Sequence, residues 1–325
     1  MSTAAARPSS SCAATTSSGA DVVVDAREEG MRRRRRLFLL AAMDGNLDLL
    51  ARMAAELEAT ARGGAACVRS TCGRQALHLA AANGQTDACR YLVQDLAFPV
   101  DAPSSPGETP LLLAATFGHT AAAVYLLDRG ASPRATDGDG ETSLHWAAYN
   151  GDRELAMLLL SRGADVDAAN PRGTPLHVAA AGAHPAVVDI LLRHGADPSK
   201  VANCVFTPLV SSLLGGSLEC MKLLIQAMKF DGDTDASLYS NRSICWLHLG
   251  IADDALSDAW ACIRMRPDWA KGYYRQGMAL CSLQDYAGAS DALLRASKLD
   301  PDDDTIAEAL RVVSECAKRV SPSPH

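Results

Sequence analysis

Three polar residues near the carboxyl end of the chain, Asn241, Lys271 and Arg275, have the types and the spacing of an anion-binding site. Lys271 and Arg275 are four positions apart, which places both side chains on one face of a helix. Asn241 precedes Arg275 by 34 positions, which is one full period of the repeat in this part of the chain. The three side chains are therefore expected to share one groove.

An amide beside two cations suits a carboxylate ligand. Arginine offers a planar fork that can donate two parallel hydrogen bonds, and lysine offers a compact positive charge. Together they could hold the acidic end of a peptide. The competing interpretation is that Lys271 and Arg275 form a solvated helix face, which is the more common role of such a pair.

The sequence carries no catalytic or metal-binding signature. It has no phosphate-binding glycine-rich loop, no His-Glu-x-x-His motif and no nucleophile elbow. The ten cysteines include no Cys-x-x-Cys pair, which favours small core residues in a reducing compartment. Cys67 and Cys72 lie close together, but no histidine stands at zinc-site spacing from them. We therefore expect no enzyme, no cofactor and no metal site.

The composition favours an all-α protein that binds neither nucleic acid nor membrane. The 325 residues carry a formal net charge of −7, whereas a grip on phosphates or anionic lipid needs a basic surface. The longest apolar runs fall far below the roughly 18 residues of a membrane-spanning helix. Only 5% of the residues are aromatic, and the apolar ones are mostly alanine and leucine, which suits many short helices.

Residues 1–36 are predicted to form a tail. The first thirty are rich in alanine, serine and threonine, which cannot bury enough apolar surface to become ordered. The run Arg32 to Arg36 could be a nuclear address, but it leads directly into apolar residues, so the start of a solvated helix is preferred. The expected location is the cytoplasm, with the nucleus as the alternative.

A repeat of 32 to 34 residues dominates the middle of the chain. Its clearest copies are Arg74-Gln-Ala-Leu-His-Leu-Ala-Ala, Glu108-Thr-Pro-Leu-Leu-Leu-Ala-Ala, Glu141-Thr-Ser-Leu-His-Trp-Ala-Ala and Gly173-Thr-Pro-Leu-His-Val-Ala-Ala. The equivalent leucines, the last from a weaker copy, are Leu77, Leu111, Leu144, Leu176 and Leu209. This spacing is the ankyrin period.

Each copy has the chemistry of two short helices. Threonine before proline, as in Thr109-Pro110, supplies an N-cap hydroxyl and a first-turn proline. The histidines at one repeat position are better explained by hydrogen bonding within the repeat than by metal binding. They are His78, His145 and His177. Residues 37–227 therefore resemble the ankyrin family, with a diverged cap, four clear repeats and one partial repeat.

Beyond residue 235 the period becomes a strict 34 residues. Pro267 and Pro301 end successive units, and Ala255 aligns with Ala289. This is the tetratricopeptide spacing. The sequence predicts an ankyrin-repeat solenoid followed by a shortened tetratricopeptide-repeat stack. Its predicted parts are a junction at 228–235, two repeats at 236–301, a capping helix at 302–320 and a tail at 321–325.

Two segments in this region carry a more specific resemblance. Leu238-Tyr-Ser-Asn-Arg-Ser and Arg266-Pro-Asp-Trp-Ala-Lys-Gly-Tyr-Tyr-Arg-Gln-Gly resemble the dicarboxylate-clamp tetratricopeptide domains of co-chaperones. Those domains bind the Glu-Glu-Val-Asp tails of the seventy- and ninety-kilodalton heat-shock proteins. The resemblance implies that Asn241, Lys271 and Arg275 match three of the five clamp positions. The order of the two repeat types resembles a group of plant ankyrin–tetratricopeptide proteins.

The clamp family takes its other lysine and asparagine from a preceding repeat, which this chain lacks. Only Lys229 to Asp235 separates the last ankyrin helix from Tyr239. We expect that ankyrin helix to pack instead against Tyr239, Trp246 and Leu249.

The sequence therefore predicts a non-catalytic adaptor. Its ankyrin stack would hold a client or signalling protein, and its groove would hold a chaperone tail. The alternative is an ankyrin-only scaffold whose shortened carboxyl-terminal segment is a structural cap without chaperone binding.

Overall fold

The computed structural model describes residues 19–60, 64–202, 206–228 and 235–320. Within these ranges the chain forms seventeen α-helices and one short 3-10 turn, with only isolated β-bridges between them. The predicted all-α fold class is confirmed. Across the described ranges, no helix combines the length and the apolar character that crossing a membrane requires.

The amino-terminal part is a row of antiparallel helix pairs. It begins with α1 (Gly19–Asp44) and α2 (Leu47–Thr60). Five pairs follow: α3 (Ala76–Ala82) and α4 (Thr86–Gln94), α5 (Pro110–Thr116) and α6 (Thr120–Asp128), α7 (Ser143–Asn150) and α8 (Arg153–Ser161), α9 (Pro175–Ala181) and α10 (Pro185–Arg193), α11 (Pro208–Leu214) and α12 (Leu218–Ala227). Odd-numbered helices pack on odd-numbered ones and even-numbered on even-numbered ones, which gives a two-layered solenoid. We call this part the ankyrin stack.

The first helix begins before the predicted boundary at residue 36. Residues 19–36, assigned to the tail from composition, belong to α1. Two arginines of this stretch are paired with glutamates: Arg32 lies 3.5 Å from Glu28 one turn earlier, and Arg34 lies 3.0 Å from Glu56 on α2. These charge pairs stabilise helical structure before residue 36, and the apolar segment that follows continues the same helix. The predictions for residues 1–18 and 321–325 lie outside the described residues.

One hydrogen-bond arrangement recurs in the ankyrin stack. Thr142 Oγ1 accepts from the His145 backbone N–H (3.3 Å), and His145 Nδ1 accepts from the Thr142 backbone N–H (3.2 Å). The other ring nitrogen, Nε2, lies 3.3 Å from the carbonyl oxygen of Gly173 in the next repeat. His177 repeats this arrangement on Thr174 and on the carbonyl oxygen of Phe206. The histidines therefore bond within each repeat, as predicted, and also join it to the next.

Two further helix pairs and a final helix form what we call the C-terminal stack. They are α13 (Ala236–His248) with α14 (Ala252–Met265), α15 (Ala270–Ser282) with α16 (Tyr286–Leu299), and α17 (Asp304–Val320). Small residues allow close helix contacts: Ser243 Oγ donates to the Ala255 carbonyl oxygen (2.9 Å), and a Cβ on Gly277 would lie 2.6 Å from Leu293 Cγ. Helix α17 packs on α15 and α16.

The C-terminal stack docks directly on the last ankyrin repeat. Helix α13 packs against α11 and α12. Cys245 of α13 is fully buried in the same core as the ankyrin leucines, and Trp246 and Leu249 pack against that core. Of the three residues predicted to pack on the ankyrin end, Trp246 and Leu249 pack against this shared core, whereas Tyr239 is not among the residues that do so. As a consequence, the inner helices from α3 to α15 form one continuous row.

Candidate peptide-binding groove

The three predicted site residues lie on two neighbouring helices. Asn241 is in the second turn of α13, while Lys271 and Arg275 occupy the first two turns of α15, which packs on α13. Helix α13 begins at a cap in which Asp235 Oδ1 accepts from the Ser237 backbone N–H (3.1 Å). Arg275 Nε donates to Ser240 Oγ (3.4 Å), so the arginine reaches across to the helix that carries Asn241.

Lys271 connects two cavities along this groove. A cavity of about 230 Å³ is lined by Asn241 and Lys271, and one of about 500 Å³ is lined by Lys271 and Arg275. Neither cavity contains both Asn241 and Arg275. The structure thus places the three residues as successive neighbours, with Lys271 in the middle, rather than around one point.

Within the described residues, Lys271 and Arg275 form no ion pair. Both cations lie near aromatic rings: Lys271 Nζ lies 5.9 Å from the Trp269 ring centroid, and Arg275 Cζ lies 5.5 Å from that of Tyr274. Burial lowers the pKa of Arg275, and desolvation together with the Arg275 charge lowers the pKa of Lys271. A carboxylate bound here would favour the charged form of both groups.

Acidic side chains that the sequence analysis did not single out stand beside these cations. Asp268, Asp300 and Asp303 line the larger cavity. Asp303 also directly precedes α17, where its Oδ1 accepts from the Thr305 backbone N–H (2.8 Å), and the hydrogen bonds to Thr305 lower the pKa of Asp303. This negative charge opposes a ligand that would place many carboxylates in the larger cavity.

The sequence analysis also missed the ankyrin contribution to the groove. Val201 and Thr207, at the last ankyrin hairpin, line the smaller cavity together with Leu238 and Trp269. Trp269 belongs to the segment that carries the clamp resemblance, so a sequence signal for it existed. No such signal existed for Val201, because its position depends on how the ankyrin stack docks on α13.

A comparison with protein-family models supports the identification of the first module. The model described as "Ankyrin repeats (3 copies)" matches residues 38–137 and 130–202. These ranges together cover more than half of the chain. The chain belongs to the ankyrin-repeat family.

The chain is also similar, over about a third of its length or less, to several curated proteins. The chain is 33% identical over 106 residues to heat shock protein STI1 of Saccharomyces cerevisiae, which covers 32% of this chain and 18% of that protein. It is 31% identical over 87 residues to Hsp70-Hsp90 organizing protein of Triticum aestivum, covering 27% of this chain and 14% of that protein. It is also 31% identical over 96 residues to U-box domain-containing protein 70 of Oryza sativa subsp. japonica, which covers 30% of this chain and 12% of that protein. The chain spans less than a fifth of each relative, and the matches support a tetratricopeptide-like segment.

Proposed function

We propose that the chain is a non-catalytic adaptor with two binding surfaces. The ankyrin stack holds one protein, and the groove of α13 and α15 holds an acidic carboxyl-terminal peptide. The observation that carries this proposal is the pair Lys271 and Arg275, which are adjacent, line a cavity and have no ion-pair partner in the described parts of the chain. Desolvating a cation without a partner is unfavourable, and a bound carboxylate would offset that cost.

The proposed ligands are the carboxyl-terminal tails of the seventy- and ninety-kilodalton heat-shock chaperones. Support comes from the clamp resemblance at Asn241, Lys271 and Arg275, and from similarity to a protein named as an Hsp70-Hsp90 organizer. The affinity should be lower than that of an intact three-repeat clamp. That clamp takes further polar residues from a preceding repeat, whereas the described ankyrin residues that line the smaller cavity here are Val201 and Thr207.

The proposed place of action is the cytoplasm, where thiols stay reduced. Among the described residues, Cys89, Cys245 and Cys262 are buried free thiols. Burial raises the pKa of each to about 12, so the three remain protonated and unreactive.

Calorimetric titration of the full chain with a peptide that ends in Glu-Glu-Val-Asp tests the proposal. We expect saturable binding with a Kd on the order of 10 µM. The double variant Lys271→Ala/Arg275→Ala should weaken binding about 100-fold or more, because both charge-assisted contacts are lost. The control is Arg162→Ala, which removes an arginine whose guanidinium lies 2.5 Å from Asp128 Oδ1. This variant should bind the peptide as tightly as the parent chain does. Absence of binding by the parent chain would rule the proposal out.

The second candidate function is an ankyrin-only scaffold in which the C-terminal stack is a structural cap. The observation that favours it is the continuity of the core: Cys245 and Trp246 of α13 cover apolar surface of the last ankyrin repeat. Terminal repeats of a solenoid need such a cover. On this account the Lys271→Ala/Arg275→Ala variant keeps every interaction of the parent chain.

A further inference from the structure

The smaller cavity lies at the boundary between the two stacks and is built by both. The last ankyrin repeat supplies Val201 and Thr207, α13 and its cap supply Asp235, Leu238 and Asn241, and the start of α15 supplies Trp269 and Lys271. Its volume of about 230 Å³ is below the roughly 300–1,000 Å³ of pockets that hold a whole small-molecule ligand. A cavity of this size fits a single amino-acid residue.

The described part of the wall offers one positive charge and an aliphatic lining. Lys271 is the cation among the described lining residues, and Asn241 supplies an amide. The side chains of Val201, which is 56% exposed, and Leu238 are aliphatic. Thr207 is almost fully buried, and its Oγ1 already accepts from the Val210 backbone N–H (3.3 Å), so it does not offer that oxygen to a ligand.

Asp235 limits how much negative charge a ligand can bring into the cavity. Its carboxylate is exposed and negative, and it lies at the wall while capping α13. A ligand residue with one carboxylate can be matched by Lys271. A second carboxylate on the ligand residue would add a like charge to a wall that already carries Asp235, which is unfavourable.

We infer that this cavity binds the last residue of a carboxyl-terminal peptide and selects an aliphatic last side chain over aspartate. The terminal carboxylate contacts Lys271 and Asn241, and the aliphatic side chain packs on Val201 and Leu238. This inference rests on the proposed function, because it uses the same groove. It adds that the ankyrin stack helps to determine which peptides the C-terminal stack accepts.

Titrations of the full chain with three peptides test the selectivity. The first ends in Glu-Glu-Val-Asp, the second in Glu-Glu-Val-Val, and the third is the second peptide with an amidated carboxyl end. We expect the valine-ended peptide to bind about fivefold more tightly than the aspartate-ended one, since it avoids repulsion and buries apolar surface. Amidation should weaken binding about tenfold or more, because the contact with Lys271 loses its charge.

Two single variants locate the selectivity in the cavity. Asp235→Asn keeps a residue that can cap α13 but removes the charge, so it should improve binding of the aspartate-ended peptide about threefold. Val201→Asp should weaken the valine-ended peptide about fivefold. Its matched control is Val124→Asp, a change at an exposed valine on α6, which should alter neither peptide.

The outcomes separate this inference from the adaptor proposal. One outcome is that both peptides bind the parent chain equally, that Asp235→Asn and Val201→Asp have no effect, and that Lys271→Ala loses binding. The inferred selectivity is then wrong, whereas the adaptor proposal stands. If neither peptide binds the parent chain, the adaptor proposal fails and this inference fails with it. The expected result is a preference for valine that Asp235→Asn reduces, together with weaker binding of the valine-ended peptide by Val201→Asp.

Discussion

The two stacks treat their positive charges differently. In the ankyrin stack, arginines pair with carboxylates about one repeat away in sequence: Arg74 with Glu108, Arg162 with Asp128, and Arg172 with Glu141. In the C-terminal stack, Lys271 and Arg275 stand about one repeat from Asn241, and no described carboxylate forms an ion pair with them. In the ankyrin stack, residues about one repeat apart therefore form ion pairs that link neighbouring repeats. In the C-terminal stack, residues about one repeat apart line a groove that carries two cations.

This contrast indicates where stability and binding are separated in the chain. Pairs between repeats fix the stacking of one repeat on the next, whereas cations without partners lower stability and leave a charge for a ligand. The C-terminal stack has its own structural pair elsewhere, since Arg242 lies 2.6 Å from Asp258, which is 4% exposed. Its groove cations are therefore not needed to hold α13 on α14.

The largest effect should follow from breaking that structural pair. Asp258→Ala leaves the partly buried Arg242 without that carboxylate and should lower the free energy of unfolding of the C-terminal stack by about 3 kcal/mol. Urea unfolding measures this loss. Arg311→Ala is the control, because its pairs with Glu308 and Glu315 are exposed to solvent and should contribute little to stability. Equal losses in the two variants would contradict a structural role of the buried pair.

Acid should weaken the ankyrin stack before the C-terminal stack. Desolvation lowers the pKa of His78, His145 and His177 below the ordinary value of 6.5, so these histidines are neutral in the folded chain. Below pH 6.5 the unfolded chain then binds more protons than the folded one. Stability should therefore fall as the pH drops through 6.5 towards the folded pKa values, by up to ~1.4 kcal/mol per histidine and pH unit.

Unfolding monitored at pH 7.5, 6.0 and 5.0 measures this slope. The variant His145→Gln, which lacks one of the three titrating groups, should show a shallower slope. A slope that is the same in His145→Gln and in the parent chain would contradict the assignment.

A smaller effect tests the close packing of α15 and α16. Gly277→Ala places a Cβ 2.6 Å from Leu293 Cγ, so we expect a loss of about 1–3 kcal/mol in spite of the better helix propensity of alanine. Gly30→Ala on α1 is the control, because nothing lies within 4 Å of the added Cβ, and it should be neutral or stabilising by up to ~1 kcal/mol. Thermal unfolding of both variants gives the comparison. A stabilised Gly277→Ala would show that the contact can relax.

The sequence was informative wherever a local rule fixes the structure. The five equivalent leucines from Leu77 to Leu209 are fully buried, and Thr109 caps α5 as predicted, because hydrophobic period and capping chemistry act within one repeat. A helix start at Arg32 to Arg36 was preferred from the sequence, but the helical state of residues 19–31 was not evident from their composition. Val201 and Asp235 at the groove could not be predicted either, because contacts across the docked stacks have no fixed spacing in the sequence. The ligand role of Asn241, Lys271 and Arg275 remains a prediction.

The most direct measurement is the pKa of Lys271 with and without a peptide. Nuclear magnetic resonance of the chain with ¹³C-labelled lysines follows the ammonium group, and the signal is assigned by its absence in Lys271→Arg. In the free chain the pKa of Lys271 should lie below the ordinary 10.5, because of desolvation and the nearby Arg275 charge. A saturating peptide with a free terminal carboxylate should raise it, since an opposite charge favours the ammonium form. A pKa that does not respond to the bound peptide would contradict the claim that this groove holds its cations for a carboxylate.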